Sequence, residues 1–183
     1  MNNQNLTPYE LLLKRRSVRS YTSEQVPAEL LHQVLEAGAY APSGHGRQPF
    51  AFLAVQDQAI RDQLSGLNAD VLRQANPVYT GDPFYGAPAV IAVLTERKAV
   101  TGLLDGAAAI ENMLLAACAL GLGSCWINRA KQVFETKAGQ EILTMAGFEN
   151  PEELEGIGFV ILGFSGEPLP KPAPRKATIK ELL

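Results

Sequence analysis

Arg15, Arg16 and Arg19, with Ser17 among them, put three guanidinium groups and a hydroxyl into five consecutive residues. A guanidinium offers five donors in a rigid fork that matches phosphate oxygens, and a serine hydroxyl adds one more. The chain's formal net charge is only -3, so its overall balance gives no reason for this local excess of cations. Taken alone, the cluster reads as a solvated basic helix end, where positive charge offsets the helix dipole. Three further clusters change that reading.

The second runs Ala41-Pro42-Ser43-Gly44-His45-Gly46-Arg47-Gln48-Pro49-Phe50. Ser43, His45, Arg47 and Gln48 are donors or acceptors, and the two glycines let a ligand approach the main chain closely. The third is Gly121-Leu122-Gly123-Ser124-Cys125-Trp126-Ile127-Asn128. Its glycines close a helix rather than open one, so they do not form a dinucleotide fingerprint. The strand after them could present N–H and C=O groups to a flat ring. Cys125 tempts as a nucleophile, but a lone cysteine in an apolar strand is usually a small core residue. The fourth cluster is Arg175-Lys176, at the end of an arm carrying Pro168, Pro170, Pro172 and Pro174. If that arm folds back, its two charges could complete an anion site with the first cluster. No Ser/His/Asp set appears, and no metal spacing surrounds His32 or His45. No catalytic side chain and no metal are therefore expected.

The elements that must hold these clusters follow from the pattern. Thr7-Pro8-Tyr9-Glu10 is a helix start with a capping box, and its helix ends at the arginines. A second helix begins at Val26-Pro27 and stops before Pro42. Strands are expected at 51–55, 88–94, 124–127 and 157–164, and further helices at 58–64, 103–120 and 136–146. Residues 66–86 read as a polar stretch of loop with some helix. The helix at 103–120 is small and apolar around nearly its whole circumference, which is easiest to bury if a second subunit covers one face. At 183 residues one domain is expected, mixed α and β around one central sheet. The pI of about 5.4 argues against a broad nucleic-acid footprint. With no run of 18 uninterrupted apolar residues, a polar start at residues 1–5 and two cysteines, the expected home is the cytoplasm, with no membrane partner.

Together these clusters resemble the FMN-dependent nitroreductase family, in particular its compact members. The resemblance rests on RRSVR at 15–19, APSGHGRQP at 41–49, YGAP at 85–88, LGLGSCWI at 120–127 and GEPLPKPAPRK at 166–176. It implies an α+β fold with a mixed, mainly antiparallel sheet flanked by helices, in an intertwined homodimer. It implies FMN at the dimer interface, with Arg15, Ser17 and Arg19 as phosphate and ribityl contacts and Arg16 adjacent. Arg175 would be a further phosphate partner, with Lys176 beside it. Pro42, Ser43 and Gly44 would come from the other subunit, and Gln48 would be a polar contact of the same motif. Trp126 and Ile127 would run along the isoalloxazine with Asn128 near it, and Asn68, assigned to the variable loop, would meet the ring edge.

The family's second motif commonly has asparagine where Gly46 stands, so an amide that could orient flavin or loop is missing. The implied chemistry is ping-pong: hydride from NADH or NADPH to flavin N5, then reduction of a nitroaromatic, quinone or similar acceptor. Three other classes stay open: a flavin store or sensor, another flavin reaction such as dehalogenation or flavin fragmentation, and an interaction domain without cofactor.

Overall fold

The computed structural model describes residues 6–182, and the polar start at residues 1–5 lies outside them. Helix α1 (Pro8–Lys14) opens with the expected capping box: Glu10 N–H donates to Thr7 Oγ1 at 3.3 Å, and Thr7 N–H donates to Glu10 Oε2 at 2.8 Å. After it, residues 15–22 are extended, and α2 (Ala28–Ala39) follows. Strand β1 (Phe50–Val55) leads into α3 (Gln58–Ala75), and β2 (Ala89–Glu96) leads into α4 (Gly102–Ala119). Then come β3 (Gly123–Ile127), α5 (Ala130–Glu135), α6 (Lys137–Met145) and β4 (Leu154–Gly163). The arm from Gly166 to residue 182 is exposed and forms neither helix nor strand.

The four strands form one sheet in the order β1-β2-β4-β3. Every pair of these strands is antiparallel. The one parallel element among the described residues is an isolated bridge between Ser17 and Ser124, outside the named strands. Along β2 the side chains alternate between two cores. Val90, Ala92 and Leu94 pack with Leu64, Phe134 and Leu143, while Ala89, Ile91 and Val93 pack with Val34, Ile110 and Met113. A strand segment buried on both faces must be apolar, and β2 is so from Ala89 to Leu94. The result is an α+β fold of three layers, with α2 and α4 on one face and α3, α5 and α6 on the other.

Two expectations change. The helix beginning at Gln58 does not stop at residue 64 but runs through Gly66 to Ala75, burying Asn68 and Ala69. An exposed helical glycine costs only about 1 kcal/mol, which the packing of Leu64 and Ala69 outweighs. Residues 130–135, for which the pattern predicts no element, form α5, whose Ala130, Val133 and Phe134 join the core. His32 is exposed and Cys125 is buried in the core, as expected.

Helix α4 is long and apolar enough to cross a membrane by length and composition alone. In the fold it packs on α2 and on the sheet, but this chain does not cover its whole circumference. Leu103 and Leu104 stay 67% and 71% exposed. Beside it, Tyr9, Leu12, Leu13 and Tyr40 are also exposed, and a groove of about 360 Å³ runs between Pro8, Leu11, Tyr40, Leu115 and Ala119.

Candidate functional site

The first motif is laid into the seam between β3 and the end of β4. Val18 N–H donates to Ser124 O at 2.9 Å, Thr22 N–H to Phe164 O at 2.9 Å and Gly166 N–H to Ser20 O at 2.9 Å. Gly123 permits the approach, because a Cβ there would stand 2.9 Å from Val18 Cγ1. The extended segment turns alternate residues to opposite sides. Val18 is buried, whereas Ser17 and Arg19 line one hollow of about 290 Å³ with Ser20, Ser165 and Pro168. Arg15 and Arg16 line a neighbouring cavity of about 190 Å³ with Lys14, Cys118, Gly121 and Ser124.

The guanidiniums are not equivalent. Arg16 Nη1 donates to Leu13 O at 2.7 Å and Arg15 O at 2.6 Å, closing the end of α1, and its Nε donates to Pro170 O at 3.2 Å. It therefore ties the arm to the first motif. Arg15 Nε faces Glu111 of α4 at 3.5 Å. Arg19 lies over the Tyr85 ring, 6.0 Å from its centroid. Arg175 and Lys176 are exposed, line neither cavity and have no hydrogen bond or ion pair among the described residues.

The third motif supplies an open strand edge. With β4 on one side of β3, Ser124 turns its C=O to the other side, toward Val18. Main-chain groups alternate along a strand, so Trp126 turns its N–H and C=O to that same open edge. The Ile127 side chain is buried in one core and the Trp126 ring packs, half-buried, against the other. Asn128 is exposed, and its C=O accepts from Asn68 Nδ2 at 2.8 Å. Asn68 is fully buried on α3, not in a loop as expected, and its Oδ1 accepts from Arg129 Nε at 2.9 Å. Arg129, which sequence reasoning misses, thus joins Asn68 and Asn128 in one hydrogen-bonded group. Its neighbour Asn128 is visible in the motif, but nothing in spacing points it to a partner 61 residues away.

The second motif lies elsewhere. Gly44 N–H donates to Asp105 Oδ1 at 3.1 Å in the first turn of α4, and Asp105 Oδ2 accepts from Thr101 Oγ1 at 2.8 Å. Gln48 N–H donates to Ser43 Oγ at 2.9 Å. His45, Gly46 and Gln48 all have positive φ, at 55°, 65° and 48°. Asparagine is the residue other than glycine that most readily takes this conformation, which explains why Gly46 fits a position where the family commonly has asparagine. Pro42 and Gln48 are exposed, and a cavity of about 620 Å³ lies between Gly44, Arg47, Lys98 and Thr101. The cavity of Arg15 and Arg16 and the start of the third motif sit at the last turn of α4 and the second motif at its first turn, while Trp126 lies further back along the helix, beside Gly158 and Ile110. The sheet says the same, since β1 and β3 are its opposite edges. Helix rise and strand spacing put the two groups roughly 25 Å apart.

One end of this edge thus gathers cations and hydroxyls, with Glu167 also lining both hollows, and beyond it β3 has no neighbouring strand on its outer side. That donor set fits a group with an anionic tail and a planar ring. Among the described residues no set of His, Cys, Asp and Glu could hold a metal.

Fold and site define a flavoprotein-like α+β class, and comparison with known proteins gives the family. The profile of the Nitroreductase family matches residues 12–163, and the chain belongs to that family. It is 30% identical over 161 residues to a protein of Archaeoglobus fulgidus named "Putative NADH dehydrogenase/NAD(P)H nitroreductase", covering 85% of this chain and 83% of the relative. A crystal structure of a nitroreductase with bound FMN from Bacteroides fragilis superposes with a TM-score of 0.85 at 35% identity, covering 97% of this chain and all of the other. A shorter match, 45% identical over 56 residues, links 31% of this chain to 20% of iodotyrosine deiodinase 1 of Mus musculus.

Proposed function

We propose that this protein is an FMN-dependent oxidoreductase, active as a homodimer, that passes a hydride from NADH or NADPH to a nitroaromatic, quinone or similar small acceptor. When bound, FMN would supply the redox chemistry, two-electron hydride transfer, so that NAD(P)H and a proton would yield NAD(P)⁺ and a two-electron-reduced acceptor.

The observation that carries the dimer is the separation of the motifs. One chain holds its anion cluster at the last turn of α4 and its Pro42-Ser43-Gly44 loop at the first, so a site using both needs two copies. The uncovered apolar face of α1 and α4 supports the same reading. In that assembly Arg15, Ser17 and Arg19 hold the phosphate and ribityl chain. Arg16 braces the segment through the arm, from which Arg175 and then Lys176 reach the phosphate of a site. Trp126, Ile127 and Asn128 lie along the ring, and Asn68, expected at its edge but buried, acts there only by holding Asn128 O and Arg129. Pro42, Ser43, Gly44 and Gln48 are supplied across the interface and exclude water from the buried face. No side-chain nucleophile is needed, in keeping with a buried Cys125 whose Sγ contacts Trp126 O at 3.6 Å. The enzyme is assigned to the cytoplasm without a membrane partner, and its acidic pI argues against a nucleic-acid partner.

The 56-residue match to the mouse deiodinase favours reductive dehalogenation as a second reading. One experiment separates the classes. Purified protein reconstituted with FMN should be yellow, and anaerobic NADH or NADPH should bleach it. A nitroaromatic should then restore the colour. Restoration by an iodophenol alone would select dehalogenation, and no bleaching by either nucleotide would refute the nicotinamide-linked reading.

A further inference from the structure

The loop of the second motif is pinned in a conformation that side chains resist. Asp105 Oδ1 holds Gly44 N–H at 3.1 Å, and Ser43 Oγ holds Gln48 N–H at 2.9 Å. His45 and Gln48 keep a left-handed backbone within it, a strain that persists only where the surroundings enforce it. Whatever this loop displays is therefore displayed in one arrangement, with little ordering left to be done on binding.

The loop forms one wall of the cavity of about 620 Å³, and the turn from β2 into α4 forms another. That volume lies in the range of small-molecule sites, about 300–1,000 Å³. His45, Arg47 and Lys98 line it, together with the acids Glu96 and Asp105. Both acids are committed. The two oxygens of Asp105 accept from Gly44 N–H and Thr101 Oγ1. Glu96 lies 3.9 Å from Lys98 in an exposed and therefore weak pair. The Arg47 side chain has no hydrogen bond or ion pair among the described residues. A guanidinium left with all its donors on a cavity wall suits a carboxylate or a phosphate.

We propose that this cavity reads the charge of the substrates: Arg47, with Lys98 and His45 beside it, takes an anionic group carried by a molecule that reacts at the flavin. The inference rests on the flavin reading above, which sets Gly44 across the interface beside the partner's cofactor. Gly44 also lines the cavity, so a molecule stacked on that ring has the cavity next to it. The anion has two possible sources. NADPH carries a 2′-phosphate that NADH lacks, and an aromatic acceptor can carry a carboxylate. Either group lies away from the reacting atoms, so Arg47 binds ground state and transition state alike and its effect falls on KM rather than kcat.

Steady-state kinetics per bound FMN test this in wild type, Arg47→Gln, Arg47→Glu and Arg47→Lys. Two matched pairs serve as probes: NADPH against NADH, and para-nitrobenzoate against para-nitrobenzamide. Wild type should favour the charged member of at least one pair by about tenfold or more in kcat/KM, and the pair that shows it identifies the source. Arg47→Gln should lower that preference about tenfold through KM, the worth of one charge-assisted hydrogen bond. Arg47→Glu should lower it further, and Arg47→Lys should keep most of it. Wild type without preference in either pair would overturn the proposal, as would a preference that survives Arg47→Glu. Equal losses for charged and neutral members in Arg47→Gln would also overturn it, because a loop that had only lost its shape would slow both. Failure of the wild type to take up FMN, or to bleach with either nucleotide, would instead refute the flavin reading itself.

Discussion

The main-chain N–H of Gly44 is fastened to the Asp105 carboxylate, 3.1 Å away at the first turn of α4. Asp105 is 6% exposed, so this is a buried acid spent on presenting a loop. Asp105→Ala should cost about 1–3 kcal/mol, because the Gly44 N–H and the Thr101 hydroxyl lose their acceptor. Urea unfolding measures this. Flavin affinity should fall with it if the loop completes the proposed flavin site; unchanged stability and affinity would show that the bond does not position the motif.

Gly123 sets the depth at which the first motif lies against β3. A methyl group there meets Val18 at 2.9 Å, and Val18 is held by Ser124 and cannot retreat freely. Gly123→Ala should cost about 1–3 kcal/mol as overpacking. Spectrophotometric titration should show weaker FMN binding, with displacement of Ser17 as the cause.

At Gly46 the expectation is opposite in sense. The residue is left-handed, and a Cβ placed on it would meet nothing within 4 Å. Gly46→Asn should therefore change stability by less than about 1 kcal/mol, whereas Gly46→Val should cost about 1–3 kcal/mol through strain alone. Thermal unfolding of the two variants reads the difference.

Much of this is legible in the residues, and the failures have physical causes. The capping box of α1, the doubly buried β2 and the small-residue helix α4 announce themselves through local pattern. The end of α3 does not, because Gly66 looks like a breaker while the Leu64–Ala69 packing that overrides it is tertiary. Asn68 is expected at the ring edge but on a loop rather than a helix, for the same reason. Arg129 and Asp105 escape a reading of the sequence: each acts through a partner about 60 residues away in sequence. The lone acid at the first turn of an apolar helix is the one available signal for Asp105.

Cys118 lies in the cavity beside Lys14, Arg15 and Arg16, yet burial pushes its thiol above the ordinary range, outweighing the opposing pull of those cations. The thiol should stay protonated through neutral pH, and its reactivity should rise only above the usual thiol range. Iodoacetamide labelling of native protein at neutral pH, followed by mass spectrometry, should be roughly tenfold or more slower than in urea. Rapid native labelling would contradict this. Cys125→Ala should retain flavin and turnover.

The central claim is that each site takes its anion cluster from one chain and its Ser43–Gly44 loop from the other. A mixed dimer tests it: one chain carries Arg15→Ala with Arg19→Ala, and its partner carries Gly44→Val, which would drive the loop into Thr101. Each variant alone should purify colourless, because both of its sites lack one half. In the mixed dimer, isolated through two different tags, one site loses both halves and the other keeps both intact. The account predicts one FMN per dimer, half the wild-type content. A colourless mixed dimer would place both motifs of a site on the same chain and contradict it.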